Sequence, residues 1–373
     1  MLKSITSNQI FSLYNLSIFT TSIAFMLGIT IAGARYSNPL AAVLGAFLAL
    51  VLIYPAYKVG TSKPDKFFVE FGAEIVGKPL HTLFVLFKVL FMLLLATINE
   101  RNLTGFLLSE YLSGTPAWSI VLTISICVAY AVRSGLSTIF RMAQGIFLIS
   151  VFAFLIIPLL TIREVEPDML VALVTHLNPY HLANGMYLHM GLFGELAFLF
   201  MLVPYLKKPK KVYRVYLITT CTSLIIVLSH MIPVLLTFGP KLGANLIYPD
   251  LDLVRFLRVG TYIEALDPIL IILWLTSLFT KISFFLFIVA MCLSQLCGIK
   301  DYKTLTMPVI AFVSVFSLVL VRSQAEMFEF LTRDFTLILI TSEFLIPGIY
   351  WLVSAIRSPQ EREGQTEAKS VDS

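Results

Sequence analysis

Charged residues are scarce in this chain of 373 residues. Asp, Glu, Lys and Arg together make up 13% of it, whereas 58% is hydrophobic. A soluble globular protein carries about 25% of its residues as charges. Apolar runs cover nearly the whole chain, so no sizeable soluble domain fits between them. The composition therefore predicts a polytopic helical membrane protein.

Signatures of catalysis and metal binding are also missing from the sequence. It has no nucleophile elbow, no P-loop and no zinc pattern, and its five histidines form no metal motif. The four cysteines lie in apolar segments, where cysteine packs as a small apolar residue. We therefore expect neither an enzyme nor a cofactor. The net charge of +5 reports membrane orientation rather than affinity for nucleic acid.

Ten apolar segments can cross a bilayer, which takes roughly 20 residues each. Seventeen Lys and Arg residues lie in one set of loops and ends and seven in the alternate set, so both termini are predicted to be cytoplasmic. We expect one transmembrane domain over 1–356, with repeats at about 5–165 and 178–356, and a disordered cytoplasmic tail at 357–373. The predicted spans are 9–33, 39–59, 80–110, 116–133, 142–161, 181–206, 212–238, 262–297, 304–321 and 335–356.

Two further patterns concern packing. The segment 64–77 has four apolar residues at helical spacing with two glutamates opposite, which indicates a short amphipathic helix on the inner membrane face. In the second span, Ala41, Gly45 and Ala49 have the small-xxx-small spacing that lets two helices approach closely.

The stretch MGLFGE at 190–195 lies inside the sixth span. Glycine weakens a helix, and an ionised glutamate at the bilayer centre costs about 3 kcal/mol or more. Phe193, Gly194 and Glu195 are therefore interpreted as a helix break that carries a functional acid. The alternative is a kinked helix in which Glu195 is neutral or paired and has only a structural role.

The first span carries a hydroxyl run of Thr20, Thr21 and Ser22. Such hydroxyls can bond to helix carbonyls inside a packed helix, or the helix can open there and offer backbone groups to a ligand. The first and sixth spans begin the two halves of a 5+5 arrangement. Interrupted segments at matching places in two halves point to a transporter-type site at the membrane midplane.

The third span contains a polar patch with Asn99, Glu100, Arg101 and Asn102. Adjacent residues on a helix point about 100° apart, so the carboxylate and the guanidinium need separate partners. Arg101 is taken as a candidate site residue, and the alternative is a structural ion pair between helices.

In the eighth span, Asp267, Trp274 and Lys281 are seven residues apart and share one helix face. Lys281 falls near mid-span, too deep for its ammonium to reach the interface, so it needs a partner. We hypothesise that it places a fixed positive charge where related transporters place sodium. The alternative is a structural pair with an acid such as Glu195.

Short motifs follow one another along the chain: ITSNQ at 5–9, RSGL at 133–136 followed by Arg141, FGE at 193–195 followed by Pro204 and Tyr205, Trp274 with Lys281, and KDY at 300–302. In that order and spacing they resemble the spore germination permease-like B subunits, which belong to the amino acid–polyamine–organocation superfamily. The resemblance covers about 5–356.

This resemblance implies an all-α LeuT-like fold of about ten transmembrane helices, in which two five-helix repeats are inverted and helices 1 and 6 are broken. It implies a germinant-sensing subunit of a receptor in the inner membrane of a bacterial spore. The implied partners are a germination receptor A subunit and a C-subunit lipoprotein, besides membrane lipids. Ligands in the family are small nutrients such as amino acids, sometimes acting with sugars or ions.

The chain departs from the family pattern at two places. The family's first helix has a glycine-rich break followed by a proline, whereas this chain has its hydroxyl run and then Met26 and Leu27. Hydroxyls could supply some of the lost backbone donors. In the family an Arg is common before a Leu-Asp pair, and Ala265 stands there instead, which removes the guanidinium of an outer-gate ion pair.

We hypothesise that a small nutrient binds between spans 1, 3, 6 and 8, shifts a closed-to-open equilibrium and so triggers germination. Glu195 would recognise the ligand amine or carry a proton. The alternatives are a proton-coupled secondary transporter of amino acids and a structural subunit with a vestigial site. The proposed ligand-binding residues are Thr20, Thr21 and Ser22 for the polar end, Phe193 and Trp274 as a cover, Arg101 and Lys281 for local charge, and Gly194 with Glu195 at the break.

Overall fold

The computed structural model describes residues 4–161, 165, 167–256, 267–320 and 324–357. These residues are almost all helical, with no strand among them beyond one isolated bridge. The chain is an integral multi-pass membrane protein. Eight stretches of its described residues are long and apolar enough to cross a membrane, and they are Leu27–Ser62, Lys78–Glu110, Ala117–Ser134, Leu136–Thr161, Pro179–Tyr205, Pro209–Asn245, Asp267–Leu296 and Thr336–Arg357.

These stretches contain the predicted spans, together with two shorter helices. Span 1 is divided between Ser7–Phe19 and Leu27–Ala34, and span 9 is the 17-residue helix Lys303–Val319. The remaining spans are 2 (Asn38–Leu52 and Tyr54–Ser62), 3 (Lys78–Glu110), 4 (Ala117–Ser134), 5 (Leu136–Thr161), 6 (Pro179–Gly194 and Glu195–Tyr205), 7 (Val212–Asn245), 8 (Asp267–Leu296) and 10 (from Gln324–Phe330 through Thr336–Arg357). The predicted tail from 358 onward, Arg163 and Ala265 lie outside the described residues.

Span 1 is interrupted where the hydroxyl run was noted. Thr6 caps its first helix, because the hydroxyl accepts the Gln9 amide while the Gln9 side chain accepts the Thr6 amide. The α-helix gives way to a π turn at Thr20–Phe25 and resumes after a bend at Met26. The Thr21 hydroxyl of this segment donates to the Ser17 carbonyl. The interruption is therefore a widened helical turn rather than extended chain.

Span 6 changes its helix type at the Gly194–Glu195 junction. Asn178 caps the α-helix Pro179–Gly194 by accepting two backbone amides, and a 3-10 helix then runs over Glu195–Tyr205. A 3-10 run longer than four residues is uncommon, and such stretches often mark a functional hinge. The predicted interruption of spans 1 and 6 is confirmed, although neither span opens into extended chain.

The two interrupted spans are tied together at one end of the molecule. The Ile5 amide donates to the Tyr205 carbonyl at 3.0 Å, and the Lys207 amide donates to the Ile5 carbonyl at 2.9 Å. The start of span 1 is therefore hydrogen-bonded to the end of the 3-10 segment of span 6.

The helix predicted within 64–77 is present as Phe68–Val76. Its apolar face is buried against protein, because the Phe68 ring lies 4.8 Å from that of Phe200 and 4.9 Å from that of Tyr350. On the other face, Lys63 binds Glu74 in an exposed ion pair. The helix thus packs its apolar side on spans 6 and 10 instead of resting it on lipid.

The small residues of span 2 lie against span 6, as their spacing predicts. A Cβ placed on Gly45 would come within 2.8 Å of the His189 Cβ, and one on Gly185 would come within 2.7 Å of the Ala41 Cβ. The two helices approach so closely because neither has a bulky side chain at this crossing.

We expect Gly45→Leu to lower the melting temperature of the purified protein in detergent. The added side chain overlaps span 6, and overpacking costs about 1–3 kcal/mol. Gly145→Leu is the matched control, because a Cβ on this exposed helical glycine of span 5 meets nothing within 4 Å. Equal losses in both variants would contradict the close approach of spans 2 and 6.

Candidate functional site

A cavity lies between spans 1, 3, 6, 8 and 10, beside the two interruptions. Its volume is about 20 Å³, which is room for about one water molecule. A larger guest can enter only if the surrounding spans move apart. Sequence reasoning placed a site between the first four of these spans, and span 10 is an addition. The lining residues are Thr21, Phe25, Met26, Leu95, Ile98, Asn99, Asn102, Glu195, Lys281, Leu331 and Phe335.

A buried ion pair between Lys281 and Glu195 forms the polar part of the cavity. The Lys281 ammonium lies 2.8 and 2.7 Å from the two carboxylate oxygens, and the side chains are only 1% and 3% exposed. The same ammonium also donates to the Thr21 hydroxyl. A buried charge without a partner costs several kcal/mol, so the two charges must stay together. Because Lys281, Glu195 and Thr21 come from three different spans, the contact joins spans 1, 6 and 8.

Thr21 is the one member of the hydroxyl run that lines the cavity. Its hydroxyl donates to the Ser17 carbonyl at 2.9 Å and accepts from Lys281. Thr20 and Ser22 are fully buried elsewhere, and neither hydroxyl has a hydrogen-bond partner among the described residues. Successive residues point in different directions around a helix, so a run of three cannot face one cavity.

Phe193 and Gly194 are buried beside the cavity and do not line it. Phe193 belongs to the hydrophobic core. A Cβ on Gly194 would collide with the Glu343 carboxylate and the Phe344 ring of span 10. Gly194 therefore permits contact between spans 6 and 10, and its assignment to ligand binding stays a prediction.

Trp274 stands one layer behind the cavity wall. Its ring lies 6.2 Å from that of Phe25, which does line the cavity, and 5.5 Å from that of Phe106. Its indole nitrogen has no hydrogen-bond partner among the described residues. Trp274 can support Phe25 as a cover, whereas direct contact with a ligand would require Phe25 to move.

Span 3 faces the cavity with Asn99 and Asn102 rather than with Arg101. The lining positions Leu95, Ile98, Asn99 and Asn102 follow the i, i+3, i+4, i+7 pattern of one helix face, which Arg101 leaves by about 100°. This pattern was available in the sequence. Arg101 does not line the cavity, and its assignment to ligand binding stays a prediction.

Glu100 has a separate partner, as expected from its position beside Arg101. The Ser125 hydroxyl of span 4 lies 3.0 Å from the carboxylate and 2.6 Å from the Ser314 hydroxyl of span 9. The patch thus also holds spans 3, 4 and 9 together.

A second polar cluster lies where span 3 ends and span 8 begins. Arg255, on the short helix Pro249–Phe256, lies 2.6 Å from the Glu110 carboxylate and 3.6 Å from that of Asp267. Tyr111 donates to Asp267 at 3.0 Å, and partial burial followed by this bond raises the pKa of its phenol. The expected loss of an ion pair at Asp267 was wrong, because Arg255 supplies the guanidinium that Ala265 lacks.

Two buried ionisable side chains were not predicted from the sequence. Lys88 of span 3 and Glu343 of span 10 are both fully buried. The rule that singled out Glu195, an ionisable residue within an apolar span, applies equally to them. No group of three His, Cys, Asp or Glu side chains in the described part of the chain is placed to hold a metal ion.

Solved structures with this fold are membrane transporters. The structure of MhsT in complex with L-phenylalanine matches with a TM-score of 0.69 at 12% identity and covers 94% of this chain and 97% of that one. Mhp1, a nucleobase-cation-symport-1 family transporter, matches with a TM-score of 0.66 at 12% identity, over 94% of this chain and 78% of that one. At this identity the likeness shows the fold alone, and the class is that of LeuT-fold membrane proteins.

Sequence similarity assigns the chain to one family among the proteins that share this fold. A family model described as "Spore germination protein" matches residues 4–326, and the chain belongs to that family. Spore germination protein YndE of Bacillus subtilis is 25% identical over 285 residues, which cover 73% of this chain and 75% of that protein. Spore germination protein KB of Bacillus subtilis is 22% identical over 77% of this chain and 78% of its own length.

We expect Lys281→Met and Glu195→Gln each to destabilise the protein, by about 3–5 kcal/mol for a buried pair that loses one charged partner. The double variant should recover much of that loss, because no uncompensated charge remains. Melting temperatures of the four proteins in one detergent provide this double-mutant cycle. Losses that simply add in the double variant would show that the two groups do not depend on each other.

Proposed function

We propose that this protein is the germinant-sensing subunit of a spore nutrient receptor and binds a small nutrient of the amino acid class in the cavity. The observation that carries the proposal is the Lys281–Glu195 pair, which lines the cavity at the interruptions of spans 1 and 6. An ammonium and a carboxylate side by side match the two charged groups of an amino acid. Membership of the spore germination family supports the biological role.

The ligand would compete with the internal ion pair. Its carboxylate would take over Lys281 and the Thr21 hydroxyl, and Glu195, once released, would bind the ligand amine or take up a proton. Because the cavity has room for about one water molecule, its spans would have to move apart as the ligand enters. The apolar wall of Phe25, Leu95 and Ile98 would then hold the ligand side chain. The other predicted ligand-binding residues do not line the cavity and would act from the layer around it. They are Thr20, Ser22, Arg101, Phe193, Gly194 and Trp274.

Ligand binding would then shift the protein between two conformations. A ligand shifts such an equilibrium only through its different affinity for the two states, and exchange of the Lys281–Glu195 contact provides that difference. Because Ile5 is bonded to the end of the 3-10 segment, movement of span 6 would reach the start of the chain. We propose that an A subunit and a C-subunit lipoprotein receive this change in the inner membrane of the spore, with both termini cytoplasmic.

A second candidate function is proton-coupled secondary transport of amino acids. The observation in its favour is the fold itself, because the solved neighbours are transporters with this architecture. A receptor needs only the binding-linked change, whereas a transporter must also release its ligand on the other side.

We expect one or a few of the twenty common L-amino acids, tested singly, to raise the melting temperature of the purified wild type. Lys281→Met should show no such rise above its own baseline, because the ligand carboxylate loses its charged partner. Glu329→Gln, an exposed glutamate of span 10, is the control and should respond like the wild type. If Lys281→Met keeps the response in vitro and a normal germination dose response at normal abundance, Lys281 is not in the site.

The receptor and the transporter are separated by one further comparison. Germination that is lost on deletion of the gene, with no uptake of the stabilising amino acid by the protein alone in vesicles, supports the receptor. Uptake driven by a proton gradient supports the transporter. If none of the twenty amino acids stabilises the wild type, the proposed ligand class is wrong.

The stabilisation should be the same when sodium in the buffer is replaced by potassium. Lys281 already places a positive charge against spans 1 and 6, so no sodium ion is needed for charge balance there. Melting curves with the stabilising amino acid in each salt make the comparison, and a strong requirement for sodium would contradict this role of Lys281.

A further inference from the structure

Glu343 is a carboxyl group that the proposed binding mode does not use. Its side chain is fully buried in span 10, and neither oxygen has a hydrogen-bond partner among the described residues. An ionised carboxylate in such a place has lost its hydration without a compensating bond, at a cost of several kcal/mol. A proton on the group removes most of that cost.

Four titratable groups from four spans interact electrostatically with Glu343. They are Tyr14 of span 1, Lys88 of span 3, Glu195 of span 6 and Lys281 of span 8. Lys281 is already bound to Glu195. Lys88 donates to the backbone carbonyl of Ser342 and lies 5.0 Å from the centre of the Phe200 ring, so its ammonium is near Glu343 without bonding to the carboxyl oxygens.

Gly194 brings the two glutamates close together. A Cβ at this position would collide with a carboxylate oxygen of Glu343, so that carboxyl lies directly against the residue before Glu195. Two neighbouring carboxylates do not both ionise readily, because each charge disfavours the other. The two carboxyl groups therefore hold one proton between them, with Glu195 ionised beside Lys281 and Glu343 neutral.

Both glutamates stand on irregular helix. Glu195 starts the 3-10 segment, and Glu343 lies in the π turn Thr341–Leu345. A second π turn of span 10, Leu331–Phe335, contributes Leu331 and Phe335 to the cavity wall. Span 10 thus connects the cavity to Glu343 through two turns of a type that is frequent at functional sites.

We propose that Glu343 stores a proton and passes it to Glu195 when a ligand carboxylate draws Lys281 away, a step that rests on the proposed function. The proton leaves an oxygen of Glu343 and bonds to a carboxylate oxygen of Glu195, which becomes a neutral acid. Glu343 becomes a carboxylate whose charge is met by the Lys88 ammonium. The side-chain oxygens of Asn99 and Asn102 are then the acceptors for the ligand amine, and no proton is taken from water.

The stored proton is tested without any ligand, by infrared spectroscopy of the full-length protein in lipid nanodiscs at neutral pH. Glu100 is also buried, with one oxygen that has no partner among the described residues, so the spectra are compared as differences. We expect the wild type minus Glu343→Gln to show the carbonyl stretching band of a protonated carboxyl group, and the control Glu329→Gln minus Glu343→Gln to show the same band. Lys88→Met should keep the wild-type intensity, and this variant tests the proposal if Glu343→Gln does not fold. A difference spectrum without the band, or an intensity that rises in Lys88→Met, would overturn the proposal.

The transfer is tested with the amino acid that stabilises the wild type, by titration calorimetry between pH 6 and pH 9. Wild-type affinity should be nearly constant, because the proton is internal. In Glu343→Gln, Glu195 must take its proton from solution, so affinity should fall by up to about tenfold per pH unit. Equal pH profiles would refute the transfer. Failure of every amino acid to bind would instead refute the proposed function and leave the infrared result standing.

Discussion

The buried salt bridge between Lys281 and Glu195 is the interaction on which the centre of this protein depends. Each charge would be costly alone in the membrane interior, so the two must stay together or find other partners. Because they come from spans 8 and 6, and Thr21 of span 1 shares the contact, the bridge fixes three spans at one depth.

Irregular helix allows this arrangement without exposing backbone to lipid. The π turn of span 1 and the 3-10 segment of span 6 change the direction of side chains while most carbonyl and amide groups remain bonded within the helix. Glycines then allow close contact where side chains would separate the spans, at Gly45 against span 6 and at Gly194 against span 10.

The position of Glu195, Lys281 and one hydroxyl of the run 20–22 at the cavity could be predicted from sequence. A charged or polar residue is unusual in an apolar span, and that rule needs no knowledge of neighbours. Arg101 shows the limit of the rule. It identifies a polar patch but does not say which face of the helix meets the cavity, and Asn99 and Asn102 occupy that face. Arg255 shows another limit, because its carboxylate partners are 145 residues away at Glu110 and 12 away at Asp267.

The sequence by itself determined the membrane class, the ten spans, the positions of both interruptions and the family resemblance. These follow from local composition, since the bilayer requires an apolar run of set length and penalises glycine and charge within it. Only the tertiary structure decided which side chains meet. The pairing of Lys281 with Glu195, the second layer of Trp274 and the burial of Lys88 and Glu343 depend on how separate helices are rotated and packed. Those rotations arise from the packing of the whole bundle.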